Sequence, residues 1–164
     1  MSPQTIRGPT SSDIPAMLAL NNAHAAELGP LSIEALAHLV AISFRTRVTE
    51  NTNAFIITLE QGVDYDSPNY VWFSERFARF AYIDRVAVAA NARKKGVGRA
   101  FYSDLIEAAL HAGHDIIACE VNSDPPNPIS DTFHAALGFR EIGRARIVER
   151  NKSVRYLVRA LRED

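Results

Sequence analysis

The sequence predicts an α/β protein built on a mixed central sheet flanked by helices, and three observations point there. Two apolar runs, Tyr82 to Val88 and Ile116 to Val121, read as strands joined by a helix-patterned segment, which makes them parallel neighbours or near neighbours. Alternating segments on either side of that unit read as antiparallel hairpins, so the sheet carries both senses of pairing. With 164 residues and 47% hydrophobic content, residues 1–164 are expected to form one domain with a substantial core, since single domains usually run to about 100–200 residues.

The elements follow in order. Thr5-Ile-Arg-Gly8 is too short to read as a strand, but Thr10-Ser-Ser-Asp13 before Ile14-Pro15 is a helix start, and Met17, Leu18 and Leu20 carry that helix to about Ala26. Ser32 caps a second helix, in which Ile33, Leu36 and Val40 share a face, and which ends near Ser43. Phe44 to Glu50 and Ala54 to Glu60 form a hairpin around Glu50-Asn-Thr-Asn53. From Gln61 to Arg79 no periodicity stands out, although Tyr65, Tyr70, Trp72, Phe73 and Phe77 lie there. A connection this long is expected to be a functional lid or an ordered surface loop, facing a substrate or serving packing or a dimer contact. After Phe139, the segments Ile142 to Glu149 and Ser153 to Leu161 close the chain as a hairpin around Arg150-Asn-Lys152.

Composition sets outer limits. A formal net charge of −1 does not suit a protein built to coat nucleic acid, whose footprint is a basic domain or stripe. Cys119 is the only cysteine, so there is no intrachain disulfide and no cysteine pair to begin a zinc site; no metal is expected. Met1 to Pro9 lacks the apolar core of a signal peptide, and no apolar run approaches the roughly 18 residues of a membrane span. These features lead us to expect a soluble, cytoplasmic protein with no nucleic-acid or membrane partner.

Chemistry concentrates at the strand, turn and helix start of Tyr82 to Ala100. A helix N-terminus leaves N–H groups without intrahelical partners and its dipole favours negative charge, so a turn that admits a ligand to the backbone becomes an anion site. Gly96 and Gly98 permit that approach, and Arg93, Lys94, Lys95 and Arg99 surround it with positive charge suited to several phosphates. Val97, Phe101, Leu105, Ala108 and Ala112 then recur at helical spacing up to Gly113. Neither familiar phosphate motif fits. There is no Gly-x-x-x-x-Gly-Lys-Ser/Thr, and Gly96-Val-Gly98-Arg-Ala-Phe101 lacks the third glycine of the dinucleotide fingerprint.

What remains, Arg93-x-x-Gly96-x-Gly98 after a hydrophobic strand, is either an ordinary basic turn or a cofactor motif. It resembles the acetyl-CoA signature of the GNAT superfamily of N-acetyltransferases. A second segment strengthens the resemblance: after the strand Ile116 to Val121 come Asn127-x-x-Ser130-x-x-Phe133-His134 and then Leu137-Gly138-Phe139. Phe133 and Leu137 share a helical face, which core packing explains; packing does not require Asn127 or His134. The resemblance covers residues 82 to 139 and implies a GNAT-like fold in which the two central parallel strands splay apart. It implies that acetyl-CoA lies between them, with its pantetheine arm paired to the backbone of Val86, Ala87 and Val88, its pyrophosphate over Arg93 to Ala100 (Val97 included), and Asn127, Ser130, Phe133 and His134 beside the arm.

Acetyl transfer to an amine needs a base for the amine proton, donors for the oxyanion and, for the thiolate, a proton. Backbone N–H groups near Val86 to Val88 are candidates for the oxyanion donor. Two carboxylates are candidate bases. Asp84 shares a strand face with Val86 but could instead pair with Arg85; Glu120, costly to bury without purpose, is preferred. Family members mostly carry Tyr where this chain has His134, which is expected to act as the acid, to hydrogen-bond the sulfur, or to sit in the helix without a chemical role. Strand alternation turns Cys119 away from Glu120, which disfavours it as an acyl carrier. His24, His38, His111 and His114 have no comparable context. The connection Asn122-Ser-Asp-Pro-Pro126 is about two residues longer than the usual family spacing, which could bring Asn122 or Asp124 to the acceptor. The expected activity is direct N-acetyl transfer from acetyl-CoA to a small-molecule or peptide amine. The alternatives are a CoA-binding sensor or structural module without turnover and, more weakly, a nucleotide-binding regulator. An exposed strand edge or the aromatic loop could support a homodimer.

Overall fold

Alternating apolar residues place seven strands in one sheet in the computed structural model, which describes residues 5–162. Met1 to Gln4, part of the N-terminal segment considered above as a leader, lie outside the described residues. The chain divides into two compact units, residues 1–60 with 83–108, and residues 61–82 with 109–164.

The first unit opens with β1 (Ile6–Arg7), a strand of two residues that the sequence was too brief to signal. Helices α1 (Ile14–Ala23), α2 (Ala25–Leu28) and α3 (Ile33–Ile42) lead to the hairpin of β2 (Arg45–Thr49) and β3 (Ala54–Glu60). The hairpin register runs from Arg45 opposite Thr58 to Val48 opposite Phe55, and the Thr49 hydroxyl closes the turn by accepting from the Asn53 and Ala54 amides at 3.0 and 3.1 Å. The first helix stops short of the expected Ala26. Asn21 and Asn22 turn their amides to the following segment, onto the Gly29 and Leu31 carbonyls at 3.1 Å, and such side chains compete with helical bonding. Ser32 caps α3 as expected, its hydroxyl accepting from the Ala35 amide at 3.1 Å. The buried face of that helix is Leu36 and Leu39, however, and Ile33 is 45% exposed.

Strand β4 (Phe80–Val88) passes from the second unit into the first and is followed by α5 (Val97–Ala112). Val97, Phe101, Tyr102 and Leu105 form the buried stripe of α5. The Arg45 guanidinium grips Asp104 on that helix at 2.6 and 2.9 Å.

In the second unit, the start of β4 pairs in parallel with β5 (Ile116–Asp124) at Phe80–Ile116, Ala81–Ile117 and Tyr82–Ala118. On its other side β5 pairs antiparallel with β7 (Lys152–Ala160), which pairs with β6 (Arg140–Ile147). Along the whole sheet the order is β1-β2-β3-β4-β5-β7-β6, a mixed sheet as expected. The aromatic stretch is not a plain loop: it contains α4 (Pro68–Ser74), with Pro68 in its first turn and Tyr70 and Phe73 buried one turn apart. Helix α6 (Pro128–Ala136) precedes the closing hairpin. Among the described residues no helix is long and apolar enough to cross a membrane.

Candidate active site

The phosphate cradle lies wholly in the first unit. Strand β4 ends at Val88, the Ala89 amide donates to the Asn53 carbonyl at 2.9 Å, and a turn at Ala90–Ala92 leads to Arg93. Lys94 and Gly96 adopt positive φ, +63° and +81°, so the chain reverses through left-handed backbone before α5 begins at Val97. A Cβ on Gly96 would meet no atom within 4 Å, so open space lies over the turn. The first intrahelical bond runs from the Ala100 amide to the Gly96 carbonyl at 3.0 Å, and amides ahead of such a bond face outward. Lys94, Lys95 and Arg99 are exposed around them, whereas Val97 is buried and anchors the turn. These residues fit a polyphosphate.

Arg93 turns back. Its Nε lies 3.4 Å from the Val88 carbonyl and one terminal nitrogen lies 3.3 Å from His24 Nε2. A guanidinium only donates, so His24 accepts there and donates from Nδ1 to the Leu20 carbonyl at 3.0 Å. Local sequence pattern carries no sign that His24 supports the cradle's arginine, because the partners are far apart in the chain.

Asp84, on the same strand, is ion-paired. The Arg85 Nε donates to its carboxylate at 2.8 Å, and a terminal nitrogen of Arg85 donates to Asn21 Oδ1 at 2.8 Å. The Asp84 side chain is 4% exposed, so the charge pair weighed from sequence is present and buried.

Glu120 occupies the centre of a polar cluster in the second unit. The Tyr82 hydroxyl donates to both carboxylate oxygens at 2.9 Å, and the Asn69 amide donates to Oε1 at 2.9 Å. The Tyr156 hydroxyl donates in turn to Asn69 Oδ1 at 2.9 Å. The fold explains the convergence. Tyr156 lies directly opposite Glu120 in the β5–β7 register, Tyr82 pairs with Ala118 two residues before it, and Asn69 enters from the first turn of α4. Burial, with the Glu120 charge, pushes the Tyr156 phenol up, which keeps its proton in place to donate. Trp72 stacks on Tyr156 with ring centroids 4.2 Å apart, and the Arg76 guanidinium lies 3.9 Å from the centre of the Trp72 ring. Sequence reasoning found Glu120 and missed Tyr82, Asn69 and Tyr156. A lone polar residue between aromatics was the one available sign of Asn69.

Cys119 is buried, and burial followed by the neighbouring Glu120 charge raises its thiol well above the ordinary range. Both its strand face and its protonation disfavour an acyl-carrier role.

Asn127, Ser130 and His134 come together on α6. Asn127 is the N-cap, its side-chain oxygen accepting from the Ser130 amide at 3.2 Å. His134 Nδ1 lies 2.8 Å from the Ser130 carbonyl and 3.2 Å from its hydroxyl. The carbonyl can only accept, which assigns the imidazole proton to Nδ1. Phe133 and Phe139 meet the imidazole edge to face, at 5.4 and 5.1 Å. Burial is the main cause that lowers the His134 pKa, so the ring is neutral near pH 7. The Arg155 guanidinium holds the helix from β7, donating to Asp131 at 2.7 Å and to Glu141.

Comparison with known proteins bears on the fold and on part of the sequence. Residues 65–139 match the family model described as the acetyltransferase (GNAT) family. A search of curated sequences finds no match. Among solved structures, the ribosomal-protein-S18-alanine N-acetyltransferase of Escherichia coli superposes with a TM-score of 0.72 at 19% identity, covering 98% of this chain and 96% of that one. Ard1 of Thermoplasma volcanium gives 0.76 at 17% identity, covering 99% and 100%. The yncA protein of Salmonella typhimurium, solved with its cofactor acetyl-CoA, gives 0.70 at 19% identity, covering 99% and 96%. At these identities the superpositions speak to the fold, which is that of the acetyltransferases. The family-model match spans residues 65–139, less than half of the 164-residue chain.

Proposed function

We propose that the protein, acting as one domain over residues 1–164, transfers an acetyl group from acetyl-CoA directly to an amine of a small molecule or peptide, with Glu120 as general base. One observation carries the assignment: the half-buried Glu120 carboxylate, set between aromatic side chains, receives hydrogen bonds from Tyr82 and Asn69, a polar cluster that fits a group doing chemistry. Acetyl-CoA supplies the activated acyl group. Lys94, Lys95 and Arg99 neutralise its phosphates, with Arg93 held toward the strand, and the amides from Gly96 to Arg99, ahead of the first intrahelical bond, donate to them. The main chain of Val86 to Val88 pairs with the pantetheine arm and supplies oxyanion donors, and Asn127, Ser130 and Phe133 line the same arm.

Glu120 receives the proton that the attacking amine loses as the carbon–nitrogen bond forms and the carbon–sulfur bond breaks. Asp84 is the weaker candidate, because its carboxylate is already engaged by Arg85 in a buried ion pair. Neutral His134 serves as a hydrogen-bonding group. The reaction belongs in the cytoplasm, alongside its donor.

The test is a panel of amines, comprising peptides with free N-termini, amino acids, polyamines and aminoglycosides, incubated with acetyl-CoA while released CoA is read and the Cys119 thiol signal subtracted. Turnover of at least one amine is expected, with Glu120→Gln slowing it by about 10²–10⁴-fold while CoA still binds. Full activity in Glu120→Gln overturns Glu120 as base. CoA binding without turnover of any amine overturns the enzyme reading in favour of a CoA sensor.

A further inference from the structure

Asn69 occupies an unusual position for an asparagine. It is 1% exposed, sits in the first turn of α4 among Tyr70, Trp72 and Phe73, and uses both ends of its amide. Nδ2 donates to Glu120 Oε1 and Oδ1 accepts from the Tyr156 hydroxyl, each at 2.9 Å. The two bonds are not interchangeable. A carboxylate can only accept, so the amide must present nitrogen to Glu120, and the oxygen is then left to Tyr156. Tyr156 in turn cannot rotate away, because its ring is stacked on Trp72 and meets Phe73 edge-on at 5.4 Å. The Asn69 amide and the Tyr82 hydroxyl therefore both donate to the carboxylate, while Tyr156 donates to Asn69 and fixes its orientation.

We propose that Asn69 is a positioning residue for the acetyl-transfer base: its amide, oriented by Tyr156, aims the Glu120 carboxylate and holds it ionised. This rests on Glu120 being the base. Donors to an ionised carboxylate stabilise the charged form, and in apolar surroundings they offset the desolvation that would otherwise protonate it. The titratable groups around Glu120 include Tyr82 from β4 and Tyr156 from β7, with Cys119 next to it on β5 but on the opposite strand face; Arg76, just past the end of α4, lies over the Trp72 ring.

The titration of Glu120 tests this without a known acceptor. In protein labelled with ¹³C at the glutamate side-chain carboxyl, the resonance lost in Glu120→Gln identifies Glu120, and its midpoint is followed with pH. Asn69→Asp keeps the shape but sets an oxygen against Oε1, and its midpoint should rise by at least about one pH unit, a tenfold change in proton affinity. Tyr156→Phe keeps the stacked ring but releases the amide, and should shift the midpoint in the same direction by less. Circular dichroism and melting confirm that each variant is folded; should Asn69→Asp fail to fold, Tyr156→Phe carries the test. Folded variants that titrate with the wild type overturn the role of Asn69. Retained acetylation in Glu120→Gln is a separate outcome: it removes the base, and with it the catalytic purpose of the positioning, whatever the titrations show.

Discussion

Gly143→Ala is expected to destabilise the second unit and to disturb Glu120 without touching the phosphate cradle. A Cβ at Gly143, on β6, would stand 2.6 Å from Cζ2 and 3.0 Å from Cη2 of Trp72, and 3.6 Å from Cδ2 of Tyr156. Comfortable carbon contacts lie at about 3.5–4.0 Å, so the indole must retreat by about 1 Å. It has little freedom, with Tyr156 stacked on one face at 4.2 Å, Arg76 over the ring at 3.9 Å and Phe73 edge-on at 5.1 Å. Overpacking of this kind costs about 1–3 kcal/mol. At about 2–4 °C per kcal/mol for a chain of this size, the melting temperature should fall by several degrees. Displacing the Trp72–Tyr156 stack also moves the hydroxyl that orients Asn69, so the Glu120 midpoint should shift. A double-mutant cycle with Trp72→Leu isolates the cause, because removing the indole removes the clash. The coupling should recover at least about 1 kcal/mol of the Gly143→Ala loss. Strict additivity, or an unchanged melting temperature in Gly143→Ala, would refute the reasoning.

Gly96→Ala should behave oppositely: with open space around the new Cβ and φ of +81°, its cost is left-handed backbone strain of about 1–2 kcal/mol, visible in a thermal melt. Gly96→Asn, which tolerates that conformation, should recover much of the loss. His134 predicts a pH dependence of stability. Its folded pKa lies below the ordinary 6.5, so between the two values the unfolded chain binds more protons; the stabilisation is complete above 6.5 and is lost as pH falls toward the folded value. Urea midpoints measured across that window should decline more steeply in the wild type than in His134→Gln.

The sequence made legible those features that repeat locally. Apolar runs in Ala54 to Glu60 and Ile116 to Val121 marked strands, alternation marked the closing hairpin, the Phe101 and Leu105 spacing marked α5, and Gly96 with its neighbouring cations marked the cradle. Helix α4 escaped because seven residues span under two turns, too few for a period to show among Tyr70, Trp72 and Phe73. The Glu120 cluster escaped for another reason. Its members are joined by sheet register, Tyr156 opposite Glu120 and Tyr82 opposite Ala118, and register is a property of the assembled sheet. The first helix ended early because the amides of Asn21 and Asn22 found carbonyl partners at Gly29 and Leu31 that local spacing does not reveal.

The two titratable groups proposed for the chemistry are built on opposite electrostatic terms, and this predicts their order of importance. Around Glu120 the donors converge on the carboxylate, the Asn69 amide and the Tyr82 hydroxyl each at 2.9 Å. His134 carries a single proton near neutral pH, and that proton is directed to the Ser130 carbonyl at 2.8 Å. It therefore has none in hand for a departing thiolate. A thiolate leaves well without one, since thiols ionise near pH 8.5. Loss of the base should thus cost much more than loss of the imidazole: Glu120→Gln should lower kcat/KM by at least about tenfold more than His134→Gln on any amine the protein acetylates, the span of 1.36 kcal/mol in transition-state stabilisation. A His134→Gln protein as impaired as Glu120→Gln, with CoA binding intact, would show that the imidazole gains a proton when the donor is bound and gives it to the sulfur.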